Sequence, residues 1–416
     1  MKKIDALLFI TVFTISLTGC GKNTGEKLTP DTLSANNTDS GTVNLRLWGA
    51  AEDEALLSQI IDSFVAEYQG QAEFNITFEA QGESTCKDVL MTDLEGGADV
   101  FTFADDQLNT LVASGALEPV KNADAIKAEN LAGAVEAASI GDTLYAYPLT
   151  ADNGYFLYYN KKYLTSQDVE ALDRILETAA ENGKKVTMDW SSAWYVYSFF
   201  GNTGLEVGLN NDGITNYCTW NSTDGDITGV DVAQAMLDIA KNPGFSNTDD
   251  SGFLSGVQDG SVIAGISGVW NSVAVEEAWG EDYGAVKLPT YTCAGEQVQM
   301  ASFSGYKLIG VNAYSGNYEW ACKLAEWISN EQNQRLRFAL RGQGPSNINA
   351  SASAEVQESL AISALIEQSD YARLQRVGDT FWDPVAEFAK NMAAGNAAGD
   401  SLQDQLDKMA EKVTKQ

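Results

Sequence analysis

Apolar and polar residues alternate in the stretch TVNLRLWG, with Val43, Leu45 and Leu47 on one side of an extended chain. A period of two predicts a strand. In the next stretch, EDEALLSQIIDSFVAEYQG, the period changes. Ala55, Leu56, Ile60, Ile61, Phe64, Val65 and Tyr68 keep helical spacing, with acids in the first turn and Gly70 to close. FNITFEA then predicts a second strand, STCKDVLMTDLEGG a helix, ADVFTFA a third strand, and DQLNTLVASG a helix ending at Gly115. Strand and helix alternate, so this part is α/β with a largely parallel sheet. After YAYPLTADNGYFLYYNKKYL the character shifts to a segment rich in aromatics, glycine and asparagine, from Trp190 to Trp220. It is followed by a helix around Val232 to Ala240, strands at SVIAGISGVW and YKLIGVNAYS, and one long helix from Tyr318 to Arg341. Two helices close the chain, one after Asp379 and one from Ser401. The last is amphipathic, with Leu402, Leu406, Met409 and Val413 on one face.

One apolar run has no period. ALLFITVFTISL (Ala6 to Leu17) follows Lys2 and Lys3 and falls short of the roughly 20 residues a spanning helix needs, so residues 1–19 are expected to be a signal peptide. Leu17, Thr18, Gly19 and Cys20 resemble the lipobox of bacterial lipoproteins, which implies a diacylglycerol on the Cys20 thiol and cleavage before it. Two acyl chains hold where one would not, at about 0.8 kcal/mol per buried CH₂. The following residues, to Gly41, have no aromatic and only Leu28 and Leu33 as large aliphatics, so residues 20–41 are expected to form a flexible tether. Residues 42–416 exceed one ordinary core and suit two domains.

The formal charge is −32, and removing Lys2, Lys3 and Asp5 with the signal peptide makes it −33. A surface this acidic argues against nucleic-acid partners and against lying flat on anionic lipid. Histidine is absent, which removes Ser-His-Asp and Cys-His catalysis and His-bearing zinc sites. Cys86, Cys218, Cys293 and Cys322 lack C-x-x-C spacing; pairing and free thiols remain equal alternatives. No metal or cofactor is expected.

Six segments in register then carry a resemblance over almost the whole of residues 42–416. They are GADVFTFADDQLNTLVASGALEPV, YAYPLTADNGYFLYYNKKYL, ISGVWNSVAVEEAWGEDYGAVKLPTY, ASFSGYKLIGVNAYS, EWACKLAEWISNEQNQRLRFALRGQGPSN and FWDPVAEFAKNMAAG. Together they resemble the maltose-binding-protein group of extracellular solute-binding proteins. The resemblance implies a type II periplasmic-binding fold: two α/β lobes joined by hinge strands and closing on a sugar. The first lobe would be 42–150 plus 304–344, and the second 151–303 plus 345–416. It implies no catalysis, a malto-oligosaccharide ligand, the permease subunits of an ABC importer as partners, and a monomer. The lipid anchor would hold the chain at the outer face of the membrane in a cell without an outer membrane.

The same resemblance nominates the residues that would hold the sugar. A pyranose has apolar C–H faces, which suit aromatic rings, and a hydroxyl rim, which suits carboxylates. Trp270 in SGVWNS and Trp382 in FWDP match the stacking tryptophans, with Phe381 expected in the core. Trp194 and Tyr197 in SAWYVYSFF match an aromatic pair, and Tyr195 could take either role. Phe103 and Asp106 in FTFADDQ match a ring and an aspartate, and Asp106 alone could instead cap the next helix. Asp152 matches a glutamate at the lobe crossing. Glu52 and Asp53 match an acidic and basic pair whose lysine is missing, and otherwise place negative charge at a helix N-terminus. Asp105 and Gln107 depart from the family pattern. Another oligosaccharide, galacto- or xylo-type, is the nearest alternative; a glycosidase or a surface adhesin stands further off.

Overall fold

A computed structural model describes residues 41–415. The expected signal peptide, Cys20 and the expected tether up to Ser40 lie outside the described residues. Within them, two five-stranded sheets each carry their own core.

The first sheet is built as the alternation requires. Val43, Leu45 and Leu47 turn inward along the strand Thr42–Gly49. The helix Glu54–Glu67 covers them with Leu56, Leu57, Ile60 and Phe64, while Val65 is exposed. Each fully buried side chain of this kind contributes about 1.5–3 kcal/mol. The helix stops before Gly70, whose φ of 85° turns the chain where a Cβ would be strained. Thr42–Gly49 pairs in parallel with Glu73–Ala80 on one side and Val100–Ala104 on the other. Lys307–Val311 then pairs antiparallel with Val100–Ala104, and Tyr147–Thr150 lies outside it.

The second sheet repeats this order. Lys185–Met188 is flanked in parallel by Phe245–Asn247 and Val262–Gly268. Tyr155–Asn160 runs antiparallel to Val262–Gly268, and Tyr283–Val286 forms the edge. In both sheets the one reversed inner strand follows a crossing: Tyr155–Asn160 comes directly after Tyr147–Thr150 of the first sheet, and Lys307–Val311 comes after Ser302–Ser304, which belongs to neither five-stranded sheet. The sheets are therefore mixed, each with a parallel majority.

The crossing segments bond to one another. The Ala151 N–H donates to the Gly344 carbonyl at 2.9 Å and the Asn153 N–H to the Gly305 carbonyl at 3.2 Å. Such closeness needs glycine: a Cβ on Gly305 would sit 2.6 Å from an Asp105 oxygen, and one on Gly344 would sit 3.0 Å from the Asp152 Cβ. Ser302–Ser304 also pairs in parallel with Ala372–Leu374, which adds a further strand at the crossing.

One expectation needs correction. The long helix from Tyr318 to Arg341 is two helices, Tyr318–Ser329 and Glu331–Arg341. Asn330 adopts an extended conformation between them, and its side chain accepts from the Asn333 N–H as an N-cap. The short helices Ile348–Ser351, Ala354–Gln357 and Leu360–Gln368 went unread; the last packs Ala361, Ile362 and Ala364 against Phe156 and Tyr158 of the second sheet. The cysteines at 86, 218, 293 and 322 are free thiols. Among the described residues no helix is long and apolar enough to cross a membrane.

Candidate functional site

In open α/β sheets ligands bind outside the carboxyl ends of the parallel strands. In the first lobe those ends lead into Ala50–Asp53, the turn holding Glu83, and Asp105–Gln107. In the second they lead into the helix Ala193–Phe200, the turn at Asp249 and Asp250, and Trp270. The two lobes meet beside these loops. Lys307 Nζ lies 5.6 Å from the centroid of the Trp270 ring, Arg376 Nη1 bonds an Asp105 oxygen at 2.6 Å, and Lys87 Nζ bonds Asp379 at 2.6 Å. A cleft between the lobes opens at the Arg376–Asp105 end of this line.

At the Trp270 end the second lobe presents an aromatic pair that is held in place. The Trp270 indole N–H donates to Asp250 Oδ2 at 2.8 Å, while Asp250 Oδ1 accepts from the Ser267 hydroxyl at 2.7 Å and the Asn271 amide at 2.9 Å. The ring takes the space a side chain on Gly268 would fill, since a Cβ there would fall 2.0 Å from Trp270. Trp194 lies beside it, ring centroids 5.8 Å apart and tilted by 36°. Trp194 is the one residue of its helix that is not buried, and its indole N–H is sealed with no partner.

At the crossing, Asp152 is buried and accepts from the Gly344 N–H through Oδ2. Burial pushes its carboxyl up to about 6, against the opposing pull of the Lys307 charge. Lys307 pairs with Glu83, which is buried at the end of the second strand. Burial would lower the Lys307 pKa, but Glu83, Asp152 and Asp53 outweigh it and leave the pKa raised.

Asp106 flanks a cleft of about 220 Å³ whose other walls include Ile214 and Arg376. Its Oδ1 is sealed and unpaired. Burial and neighbouring Asp105 push its carboxyl up to about 7. It does not cap the next helix, Leu108–Ala113, which has no side-chain cap. Gln107 serves the structure of the first lobe. Its amide donates to the Glu83 carbonyl at 2.7 Å and accepts from the Lys87 N–H at 3.0 Å, which joins two loops.

Three nominated residues are committed elsewhere. Phe103 is fully buried in the first core beside Phe101, because the strand Val100–Ala104 is covered on both faces. Tyr197 is buried and stacks on Phe303 at 4.2 Å and 18°, inside the second core. Asp53 is buried with both oxygens taken by Arg337 and Arg341. Burial would raise its carboxyl, but Arg337 wins and holds it below the usual range. Glu52 is exposed beside it. Trp382 is half-buried at the start of the helix Trp382–Ala393, 5.1 Å from the Phe381 ring, and Phe381 itself is fully buried.

Sequence reading missed Glu83, Lys307, Asp250 and Arg376. Lys307 left a signal, a lone charge heading the apolar run KLIGV; the others left none. Among the described residues no group of three His, Cys, Asp or Glu side chains converges as metal ligands.

Fold and cleft define a two-lobed solute receptor, and the comparisons agree. Residues 59–364 match the bacterial extracellular solute-binding protein family, and the chain belongs to it. It is 26% identical to a maltooligosaccharide ABC transporter solute-binding lipoprotein of Streptococcus pneumoniae (strain ATCC BAA-255 / R6), across 96% of this chain and 93% of the relative. It is 24% identical to a galactooligosaccharide-binding protein of Bacillus subtilis (strain 168), across 97% and 95%. A maltodextrin binding protein from L. casei BL23, solved without ligand, shares the fold with a TM-score of 0.73 and 24% identity, across 90% of this chain and 100% of that one.

Proposed function

We propose that the chain is the substrate-binding lipoprotein of an ABC importer, taking malto-oligosaccharides between its lobes and presenting them to the permease. The observation that carries this is the paired rings of Trp270 and Trp194, braced by Asp250 and facing a lysine of the first sheet across the cleft. Rings supply stacking faces, and Asp152 and Asp106 supply acceptors for hydroxyls. Trp382 adds a second platform, and Glu52 a rim contact. The lobes are taken as 42–150 plus 304–344 and 151–303 plus 345–416. The chain is a receptor and not an enzyme, so maltotetraose incubated with it stays intact. Cys20 carries the lipid that holds it, as a monomer, at the outer face of the membrane.

Galacto-oligosaccharide is the second reading, favoured by the likeness to the Bacillus subtilis protein. Calorimetry against maltotriose, galactotriose, cellotriose and xylotriose separates them. Maltotriose in the micromolar range or tighter is expected; preference for a β-linked sugar would reject the assignment and leave the fold intact.

A further inference from the structure

Lys307 heads a strand whose next residues, Leu308 to Val311, are all buried. Lysine in such a place is uncommon unless paired, because its charge loses water. Here the side chain is 13% exposed and Nζ is 2.5 Å from Glu83 Oε2, a carboxylate itself 9% exposed. The pair is incomplete as it stands. Glu83 Oε1 is sealed and has no partner, so it carries its desolvation cost with nothing in return. The ammonium has three N–H donors, and the ion pair engages one oxygen. The same ammonium lies over the Trp270 ring, 5.6 Å from its centroid, near the outer limit of a cation–π contact. Asp250 fixes that ring from the other lobe. An apolar face, a free acceptor and free donors thus adjoin one another where the lobes meet.

We propose that Lys307 is a specificity-determining, ligand-contacting residue that forms, with Glu83 and Trp270, a subsite for one sugar ring bearing a vicinal diol. This rests on reading the chain as an oligosaccharide receptor. The ring's C–H face lies on Trp270, one hydroxyl donates to Glu83 Oε1, and its neighbour accepts from Lys307 Nζ. Two neighbouring hydroxyls, one a donor and one an acceptor, thus complete both partners of the ion pair. Lys307 belongs to the first sheet and Trp270 to the second lobe, so a ring held by both is held only when the lobes are together.

The test is calorimetry of wild type, Glu83→Gln and the double variant E83Q/K307M against maltotriose and a set of monodeoxy methyl maltosides. The double variant avoids stranding one buried charge, and circular dichroism checks its fold. Wild type is expected to bind maltotriose and to lose about tenfold or more against at least one deoxy sugar. The folded double variant should bind maltotriose roughly ten- to a hundredfold more weakly and no longer distinguish that deoxy sugar. E83Q, which keeps the lysine, should fall between. Wild-type affinity with wild-type deoxy discrimination in either folded variant would overturn the subsite while leaving the receptor reading standing. Wild type that binds no oligosaccharide at all would overturn the receptor reading and the subsite with it.

Discussion

Trp270 shows how much one ring depends on its support. Its loss removes a stacking face and the area buried with it, about 2 kcal/mol, or some tens-fold in affinity. Trp270→Ala should show that loss in a maltotriose titration with the fold intact; full affinity would put the sugar elsewhere. Asp250→Ala keeps the ring but leaves its N–H, the Ser267 hydroxyl and the Asn271 amide without their shared acceptor. At about 1 kcal/mol, affinity should drop roughly fivefold. Asp106 gives a pH signature instead. Its folded pKa, about 7, stands above the ordinary carboxyl value of 3.8, so the folded chain holds the proton more tightly. The resulting stability is fully present below the ordinary value and is lost as pH rises through 7. Asp106→Asn escapes that loss, so in urea denaturation its stability relative to wild type should be greater at pH 8 than at pH 4.5. A gap that stays constant would mean that the carboxyl is not sealed.

Elements were legible where one face is buried and the other wet. Thr42–Gly49 and Glu54–Glu67 announce themselves because alternation and helical spacing each mark one side. The strand Val100–Ala104 is buried on both faces, so its period vanishes and nothing in FTFADDQ says which way Phe103 points. The helix Ala193–Phe200 hides seven of its eight residues, so an aromatic run could not distinguish the half-buried Trp194 beside Trp270 from Tyr197 in the core. Partners far apart in sequence were beyond reach: Asp53 and Arg337 meet across 284 positions, with no local pattern to join them. Caps are the reverse case, local and readable. Thr228 accepts from the Asp231 N–H while the Asp231 carboxylate accepts from the Thr228 N–H, a complete capping box for the helix Gly229–Lys241. Thr228→Ala should cost about 1 kcal/mol in urea denaturation without altering sugar affinity. A change in affinity would mean that the cap is coupled to the site through the helices Ala193–Phe200 and Trp382–Ala393, against which Gly229–Lys241 packs.

At the scale of the whole molecule, the question is what holds the lobes together before a ligand arrives. Among the described residues two ion pairs join the cleft loops at this line. In Lys87–Asp379 the carboxylate is 71% exposed, so the pair is screened and contributes about 0–1 kcal/mol. In Arg376–Asp105 the carboxylate is fully buried and the arginine partly so, and burial raises the Asp105 pKa against the pull of the arginine, so desolvation offsets much of the attraction. Asp105 also accepts from the Tyr306 N–H at the crossing, so this tie connects a cleft loop directly to the hinge. If such contacts favour the closed arrangement, a sugar has only to tip a balance already near level, since a ligand shifts an equilibrium by its difference in affinity for the two states. Small-angle X-ray scattering should therefore give the double variant K87M/R376Q a larger radius of gyration than wild type when both are free of sugar. Saturating maltotriose should bring the two to a common smaller value. Equal radii without sugar would show that the crossing pairs do not set the resting state, and an unchanged radius with sugar would show that binding needs no closure.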